Sequence, residues 1–394
     1  MGFENLKQRL AAELAALDQE GRLYRPGVLS GSQGPRITIQ GQSYINLASN
    51  NYLGFAQDAQ VVEAAHHALD QYGFGLGGGR LLYSMTVHQD LERRLAAFKQ
   101  REAALACQTG YDTNLSAIWT LTGEQDVIIS DSANHASIVD SIRLSRAERR
   151  VYPHNDLAAL ETQLQASQGA RTIFIVTDGV FSMDGDLAPL PEMVTLAERY
   201  GALVYVDDAH GDGVLGKTGS GIVEHFGLHG RVAIEMGTLS KALGGVGGFV
   251  AADREIIDYL FQRSRPFQFS TCHLPPMVAA GLLAALGLLA QQPERLERLW
   301  ENTRFFRAGL QQLGFDTGAS VTPIIPVMLG SEAKATQCGQ EVRAAGVYAQ
   351  AFTYPVVPQG KARIRCIVSA AHSREDLQTA LDIFKAAGQR LRLI

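Results

Sequence analysis

"LPEMVTLAERYGALVYVDDAH", residues 190–210, contains the change of period that decides the architecture. Its first half puts Leu190, Met193, Leu196 and Ala197 on one helical face, the 3.6-residue repeat of an amphipathic helix. After Gly201 the pattern becomes a short, nearly all-apolar run that stops at two acids, Asp207 and Asp208. Similar runs stand at "DVIISD" (126–131), "RTIFIVTDG" (171–179) and "VAIEMGT" (232–238), and helical "HASIVDSIRLSRA" (135–147) separates the first two. Strand, helix and strand repeated in this way mean parallel strands joined by right-handed crossovers. Strands apolar throughout, rather than alternating, mean that both faces of the sheet are covered. The middle of the chain therefore reads as a layered α/β unit. Three of its strands end in acids, Asp131, Asp178 and Asp207, at the edge where open α/β sheets hold their ligands.

Outward from this centre the patterns change. From about residue 290 a charged helix, "QQPERLERLWENTRFFRAGLQQLG", is followed by strands ("TPIIPVML", "KARIRCIVSAA") and a last helix, a smaller α+β unit. The opening "MGFENLKQRLAAELAALDQEGRLYRP" reads as an amphipathic helix carrying both charge signs. The expected division is an N-terminal helix and arm (1–48), a large unit (49–288) and a small C-terminal unit (289–394). "MVAAGLLAALGLLA" (277–290) is too short to span a bilayer and reads as a buried helix. With 46% hydrophobic and 19% charged residues over 394 positions, the composition is that of a soluble globular protein. A net charge of −5 gives no general attraction to nucleic acid or to anionic membranes, so neither is an expected partner. The N-terminus lacks the apolar run of a signal peptide, and Leu6 breaks the myristoylation pattern. The four cysteines form no CxxC pair, which suits a reducing cytoplasm and no metal site.

Two motifs invite other readings and fail on context. "GDGVLGKT" (211–218) matches the phosphate-loop pattern, but "DDAH" stands just before it and "TGSG" follows Lys217, poor material for the helix start the motif needs. "GFGLGG" (73–78) matches GxGxxG but follows a helical segment, where a dinucleotide fingerprint follows a strand. It reads as a flexible glycine loop.

"GTLSKALGGVGG" (237–248) sets Lys241 among hydroxyls and glycines. A lysine that acts as a nucleophile near neutral pH must shed its proton, which burial and neighbouring cations favour. The chemistry that most often uses a lone lysine in this way is Schiff-base formation, including that with pyridoxal 5'-phosphate (PLP). That cofactor also needs an acid at its pyridine nitrogen, a phosphate cup and a group stacked on its ring. Asp207 supplies an acid one βαβ step before Lys241. Thr238, Ser240 and the turn "TGYDTN" (109–114), which opens into a helix, supply a cup. His135 is placed to stack.

Taken together, "NNYLG" (50–54), "NHASIVD", "TDGVFSMDGD", "VDDAHGDGVLG", "GTLSKALGG" and "YPVVPQGKARIRCIVSAAH" resemble the α-oxoamine synthases over nearly the whole chain. These are PLP enzymes of fold type I that condense an amino acid with an acyl-CoA. The resemblance implies an α/β fold with a mainly parallel sheet in the large domain and a smaller α+β C-terminal domain. It implies that Lys241 carries the cofactor as a Schiff base, that Asp207 keeps the pyridine nitrogen protonated, that His135 stacks on the ring and that His210 bonds the ring oxygen. Gly110, Tyr111, Thr238 and Ser240 would contact the phosphate, and Ser182 would lie near the cofactor. Asn50 and Arg365 would hold the substrate carboxylate. Arg363 shares a strand face with Arg365, so periodicity alone does not separate the two. The family is a homodimer with shared sites, so Ser270 and Thr271 would reach the phosphate of the neighbouring subunit.

Within the family, "IIPVMLG", "TDGVFSMDGD" and the C-terminal motif look most like glycine C-acetyltransferase, which joins glycine to acetyl-CoA. The loop "LLYSMTV" after Arg80 departs: it lacks glycine and is one residue shorter, closer to some 8-amino-7-oxononanoate synthases, which join L-alanine to a pimeloyl thioester. The expectation is thus glycine C-acetyltransferase, with oxononanoate synthase or a dual-specificity enzyme as the alternative. A PLP aminotransferase would also use Asp207 and Lys241, but without releasing a thiol.

Overall fold

The computed structural model describes residues 2–20, 22–270 and 273–394. Its centre is a seven-stranded sheet whose spatial order is Ala103–Cys107, Gly248–Ala252, Ile234–Thr238, Leu203–Asp207, Ile173–Asp178, Val127–Asp131 and Glu148–Tyr152. The last five are mutually parallel, and Gly248–Ala252 runs antiparallel to both its neighbours. Successive side chains enter different clusters. Val127, Ile129, Ile173, Ile175, Val204 and Val206 join one core. Ile128, Phe174, Val176 and Tyr205 join another. This is the two-residue period of a sheet covered on both faces. Helices Ala59–Tyr72, Thr86–Lys99 and Pro276–Gln291 pack together and belong to the first cluster. Gly110–Leu121, Ala136–Leu144 and Arg254–Arg263 belong to the second.

The four strands expected from β-branched runs are all present. Three others gave no such signal. Ala103–Cys107 and Gly248–Ala252 are rich in alanine and glycine, and Glu148–Tyr152 is a charged edge strand.

Toward the C-terminus, Ile324–Gly330, Ala362–Ile367 and Gln350–Phe352 form an antiparallel sheet that packs with the helices Glu332–Ala344, Pro293–Gln312 and Arg374–Arg390. Ile45 and Leu47 enter this core beside Phe306, Ile364 and Phe384, because Gln42–Asn46 pairs in parallel with Val347–Tyr348. The N-terminal segment thus shares a core with the C-terminal elements. The apolar stretch near 280 is the helix Pro276–Gln291, half of its residues buried, and among the described residues no single helix is long and apolar enough to cross a membrane. No helix starts at Lys217: it is exposed, and the next helix is the four-residue Ile222–His225.

Candidate active site

At the carboxyl ends of the parallel strands, Gly110, Tyr111, His135, Ser182, Asp207, His210, Thr238, Ser240 and Lys241 line one cleft of about 250 Å³. Nine positions singled out in the sequence thus meet in space. A larger hollow of about 450 Å³, between Phe98, Lys217 and Leu286, contains none of them.

Lys241 sits in the loop that leaves Ile234–Thr238. The glycines around it are required by geometry. Gly244 has φ 71°, and a Cβ there would lie 2.4 Å from the Ala56 nitrogen. The loop closes on itself as Leu239 N–H donates to Gly247 O (2.9 Å) and Gly245 N–H to Leu239 O (2.9 Å). Among the described residues the Lys241 amine forms no ion pair. Burial lowers its pKa to about 8, assisted by the Arg365 charge and opposed by Asp207, Asp178 and Asp212. The amine is therefore poised to lose its proton near neutral pH.

Asp207 is 3% exposed. Its Oδ2 accepts from Asn114 Nδ2 (2.7 Å) and its Oδ1 from the Ala209 N–H (3.0 Å). Asn114 is itself held, since Tyr205 OH donates to its Oδ1 (2.8 Å). Asp178 lies directly across in register, and its Oδ2 accepts the His135 N–H (2.8 Å). Burial and the Asp207 charge push the Asp178 carboxyl well above the usual carboxylate range. His135 caps the helix Ala136–Leu144, and its ring lines the cleft. Burial and the Lys241 charge lower its pKa against the pull of Asp207, which favours a neutral ring.

His210 Nδ1 lies 2.8 Å from Tyr52 OH. Burial raises the Tyr52 pKa far above the ordinary phenol value, so the hydroxyl keeps its proton and donates to Nδ1. Burial and the nearby cations hold His210 well below its ordinary pKa. The neutral ring then carries its own proton on Nε2, as a donor for the cleft.

The opposite end of the cleft suits an anion. Thr109 caps the helix Gly110–Leu121, and among the described residues the N–H groups of Gly110 and Tyr111 have no partner. Thr238 Oγ1 and Ser240 Oγ are 2.9 Å apart, and a Cβ on Gly110 would sit 3.0 Å from Thr238 Oγ1. Free amides at a helix start beside two hydroxyls have the chemistry of a phosphate cup. The Tyr111 hydroxyl turns away to Asp140, which leaves its backbone N–H as the group it offers there.

Asn50 and Arg365 each carry a buried polar atom without a partner, Oδ1 and Nε. One Arg365 guanidinium nitrogen donates to Ser182 O (3.0 Å), which ties it to the cleft wall. Arg363 is only 2% exposed and is consumed by the protein, with bonds to Met183 O (2.9 Å), Asp184 Oδ1 (2.5 Å) and Lys361 O (3.0 Å). Of the two, Arg365 is the one available to a substrate carboxylate. Ser270 is not brought into this cleft. It lines a separate crevice with Gln108, Asp112 and Phe267. Thr271 lies outside the described residues. The sequence reading missed Tyr52 and Asn114, although they stand inside the quoted "NNYLG" and "TGYDTN"; Asp178, noted there only as a strand-end acid, does line the cleft.

These residues fit PLP. A lysine without an ion pair and with a lowered pKa, a buried carboxylate held by two donors, an imidazole in the cleft wall and a cup of free amides are what its aldehyde, pyridine nitrogen, ring and phosphate require. Fold and site define a PLP-dependent enzyme of fold type I. Comparison with known proteins agrees. The family model for class I and II aminotransferases matches residues 42–384. The 8-amino-7-oxononanoate synthase of Exiguobacterium sibiricum is 51% identical over 395 residues, covering all of both chains. That of Symbiobacterium thermophilum is 52% identical over 388 residues, 98% of each. A solved structure of serine palmitoyltransferase with PLP as internal aldimine superposes with a TM-score of 0.93 at 34% identity, covering 98% of each chain. The chain belongs to the class I and II aminotransferase family and, within it, to the α-oxoamine synthases, PLP-dependent acyltransferases.

The glycine C-acetyltransferase expectation is not supported by these relatives and is corrected. The motifs behind it lie at Ile324–Gly330, at the strand of Arg365 and around Ser182. Of these, Ser182 lines the cleft and Arg365 donates to its carbonyl, while Ile324–Gly330 belongs to the C-terminal sheet.

Proposed function

We propose that the chain is an 8-amino-7-oxononanoate synthase, joining L-alanine to a pimeloyl thioester with release of CoA and CO2. The observation that carries this is end-to-end identity of about one half to enzymes of that name. The glycine-free, shortened loop after Arg80 supports the same reading. Likeness to a serine palmitoyltransferase structure does not count against it, because the shared fold serves acyl chains of different lengths.

Bound PLP supplies an electron sink for a carbanion at the amino-acid α-carbon. Arg365 and Asn50 hold the substrate carboxylate, Arg365 with the charge and Asn50 with directional hydrogen bonding. With PLP bound, His210 Nε2–H would donate to the ring oxygen, Asp207 would hold a proton on the pyridine nitrogen, and the His135 ring would stack on the cofactor. Lys241 Nζ, uncharged in a useful fraction near neutral pH, takes the α-proton. Amides 110 and 111 with Thr238 and Ser240 hold the phosphate.

The same proposal takes the enzyme as a cytoplasmic homodimer. Ser270 lies outside its own chain's cleft, as a residue serving a neighbouring site would. Helix Gly2–Gln19 buries none of its residues and leaves Phe3, Leu6, Leu10 and Leu14 exposed for a second copy to cover. Cys107, Cys338 and Cys366 are buried free thiols, in keeping with a reducing compartment. Residues 49–288 would act as the cofactor-binding unit and 289–394 as the one that supplies Arg365.

The test is CoA thiol release with L-alanine plus pimeloyl-CoA beside glycine plus acetyl-CoA. Faster release with the first pair is expected. Release with the second pair alone would overturn the proposal, and amino transfer to a 2-oxo acid without thiol would point to an aminotransferase.

A further inference from the structure

One residue beyond Asp207 begins a second buried charge cluster, which none of the steps above uses. Lys99, the last residue of Thr86–Lys99, is 0% exposed. Its Nζ donates to Asp212 Oδ1 (2.8 Å), Ser220 O (2.7 Å) and Asp208 Oδ2 (3.3 Å), and lies 3.1 Å from Glu235 Oε2. Three carboxylates thus surround one ammonium with no access to water. Asp208 Oδ1, Asp212 Oδ2 and Glu235 Oε1 remain without a hydrogen-bond partner. Apolar side chains of similar volume would stabilise a core at least as well, so stability alone is a poor reason for this cluster.

Its placement suggests another reason. Asp208 is covalently next to Asp207. Asp212 packs on the strand of Lys241: a Cβ on Gly237 would lie 1.9 Å from its Oδ2. The next residue supports the far end of the same loop, since a Cβ on Gly213 would lie 2.4 Å from Ala242 Cβ. Gly237 and Ala242 bracket the 238–241 loop. Glu235 is on the strand that leads into it. All three carboxylates therefore belong to the two segments that present Asp207 and Lys241, and Lys99 ties those segments together.

We infer that Lys99 is a positioning residue for the reaction: by holding Asp208, Asp212 and Glu235 it seats the Lys241 loop against the Asp207 strand and balances the negative charge that Lys241 feels. Lys99 has no place in the cleft lining, so it acts through these carboxylates. The groups whose charge reaches Lys241 are Asp207, Asp178, Arg365 and Asp212, with His135 and His210 alongside. Of these, only Asp212 also bonds Lys99.

The inference rests on the cofactor assignment and not on the acyl substrate. It is tested on PLP-loaded protein by following the visible absorption of the bound cofactor against pH, beside thermal melting. Lys99→Met leaves the carboxylates unbalanced and should move the absorption midpoint up by about half a pH unit or more. Asp212→Asn removes a negative charge and should move it down, and the double variant should return toward wild type. PLP affinity of Lys99→Met, by equilibrium dialysis, should weaken about tenfold or more, roughly 1.4 kcal/mol. Midpoints that stay fixed, or move the same way in both single variants, would overturn the inference, whatever happens to the melting temperature. Should Lys99→Met fail to fold, Asp212→Asn decides alone: a downward shift supports the inference, and no shift or an upward one overturns it.

Discussion

Lys241 and Lys99 are both lysines withdrawn from water, and their surroundings drive them in opposite directions. At Lys241 burial dominates, with the Arg365 charge adding to it, and the carboxylates of Asp207 and Asp178 do not come close enough to pair, so its pKa falls to about 8. At Lys99 burial also opposes the charge, but Asp212, Glu235 and Asp208 outweigh it and push the pKa above the ordinary lysine value. The difference lies in contact. Carboxylates at 2.8–3.3 Å fix Lys99 as a cation. Lys241 has none within pairing distance and remains reactive.

That contrast can be broken most decisively at Lys241. Lys241→Ala should lower thiol release by on the order of a thousandfold or more while far-UV circular dichroism stays that of the wild type. Replacement of each lysine by Met in the apo protein should give opposite signs in urea unfolding at neutral pH. Lys99→Met strands three buried carboxylates and should lose about 3–5 kcal/mol. Lys241→Met removes an unpaired buried amine and should leave the protein as stable or more so. The linkage runs the same way. With a folded pKa below the unfolded value, Lys241 destabilises the apo chain at neutral pH, and that cost is relieved as pH rises through about 8 toward the ordinary lysine value.

Arg365 and Arg363 repeat the comparison on one strand. Arg365→Ala should raise the KM for the amino acid by about 10- to 100-fold, the loss of a charged hydrogen-bond pair. Arg363→Ala should act mainly on stability, because Asp184 and backbone carbonyls already take its guanidinium. Tyr52→Phe should be milder. It frees His210 Nδ1 and should cost about 1 kcal/mol, roughly fivefold in turnover, with the substrate KM little changed.

The smallest effect concerns His154, which contacts no part of the cleft lining. Hydrogen bonds to Asp131 and Asp186 raise its pKa to about 10 against burial. A folded pKa above the unfolded one means this contribution is complete below about pH 6.5 and is lost as pH rises toward 10. His154→Gln should flatten that part of the stability profile, measured by urea unfolding at fixed pH values.

Much of this was legible in the sequence because the central strands are β-branched and end in functional acids. Ala103–Cys107 and Gly248–Ala252 were not, because alanines and a glycine dilute their β-branched signal. A Cβ on Gly248 would lie 2.8 Å from Gly110 Cα, under the phosphate cup. Glu148–Tyr152 escaped as an edge strand with charged side chains. At the site, residues carrying a motif's chemistry were visible, and residues that orient them were not. Tyr52 meets His210 across 158 positions and Asn114 meets Asp207 across 93, separations at which no periodicity operates. Lys99 reads locally as an ordinary cation at a helix C-terminus. Only the fold reveals that its partners are Asp208, Asp212 and Glu235.

The most direct measurement is to load the protein with PLP, reduce it with borohydride and map the modified lysine by mass spectrometry. The account predicts the pyridoxyl group on Lys241 and none on Lys99. Label on Lys99 or any other lysine, with Lys241 unmodified, would contradict it.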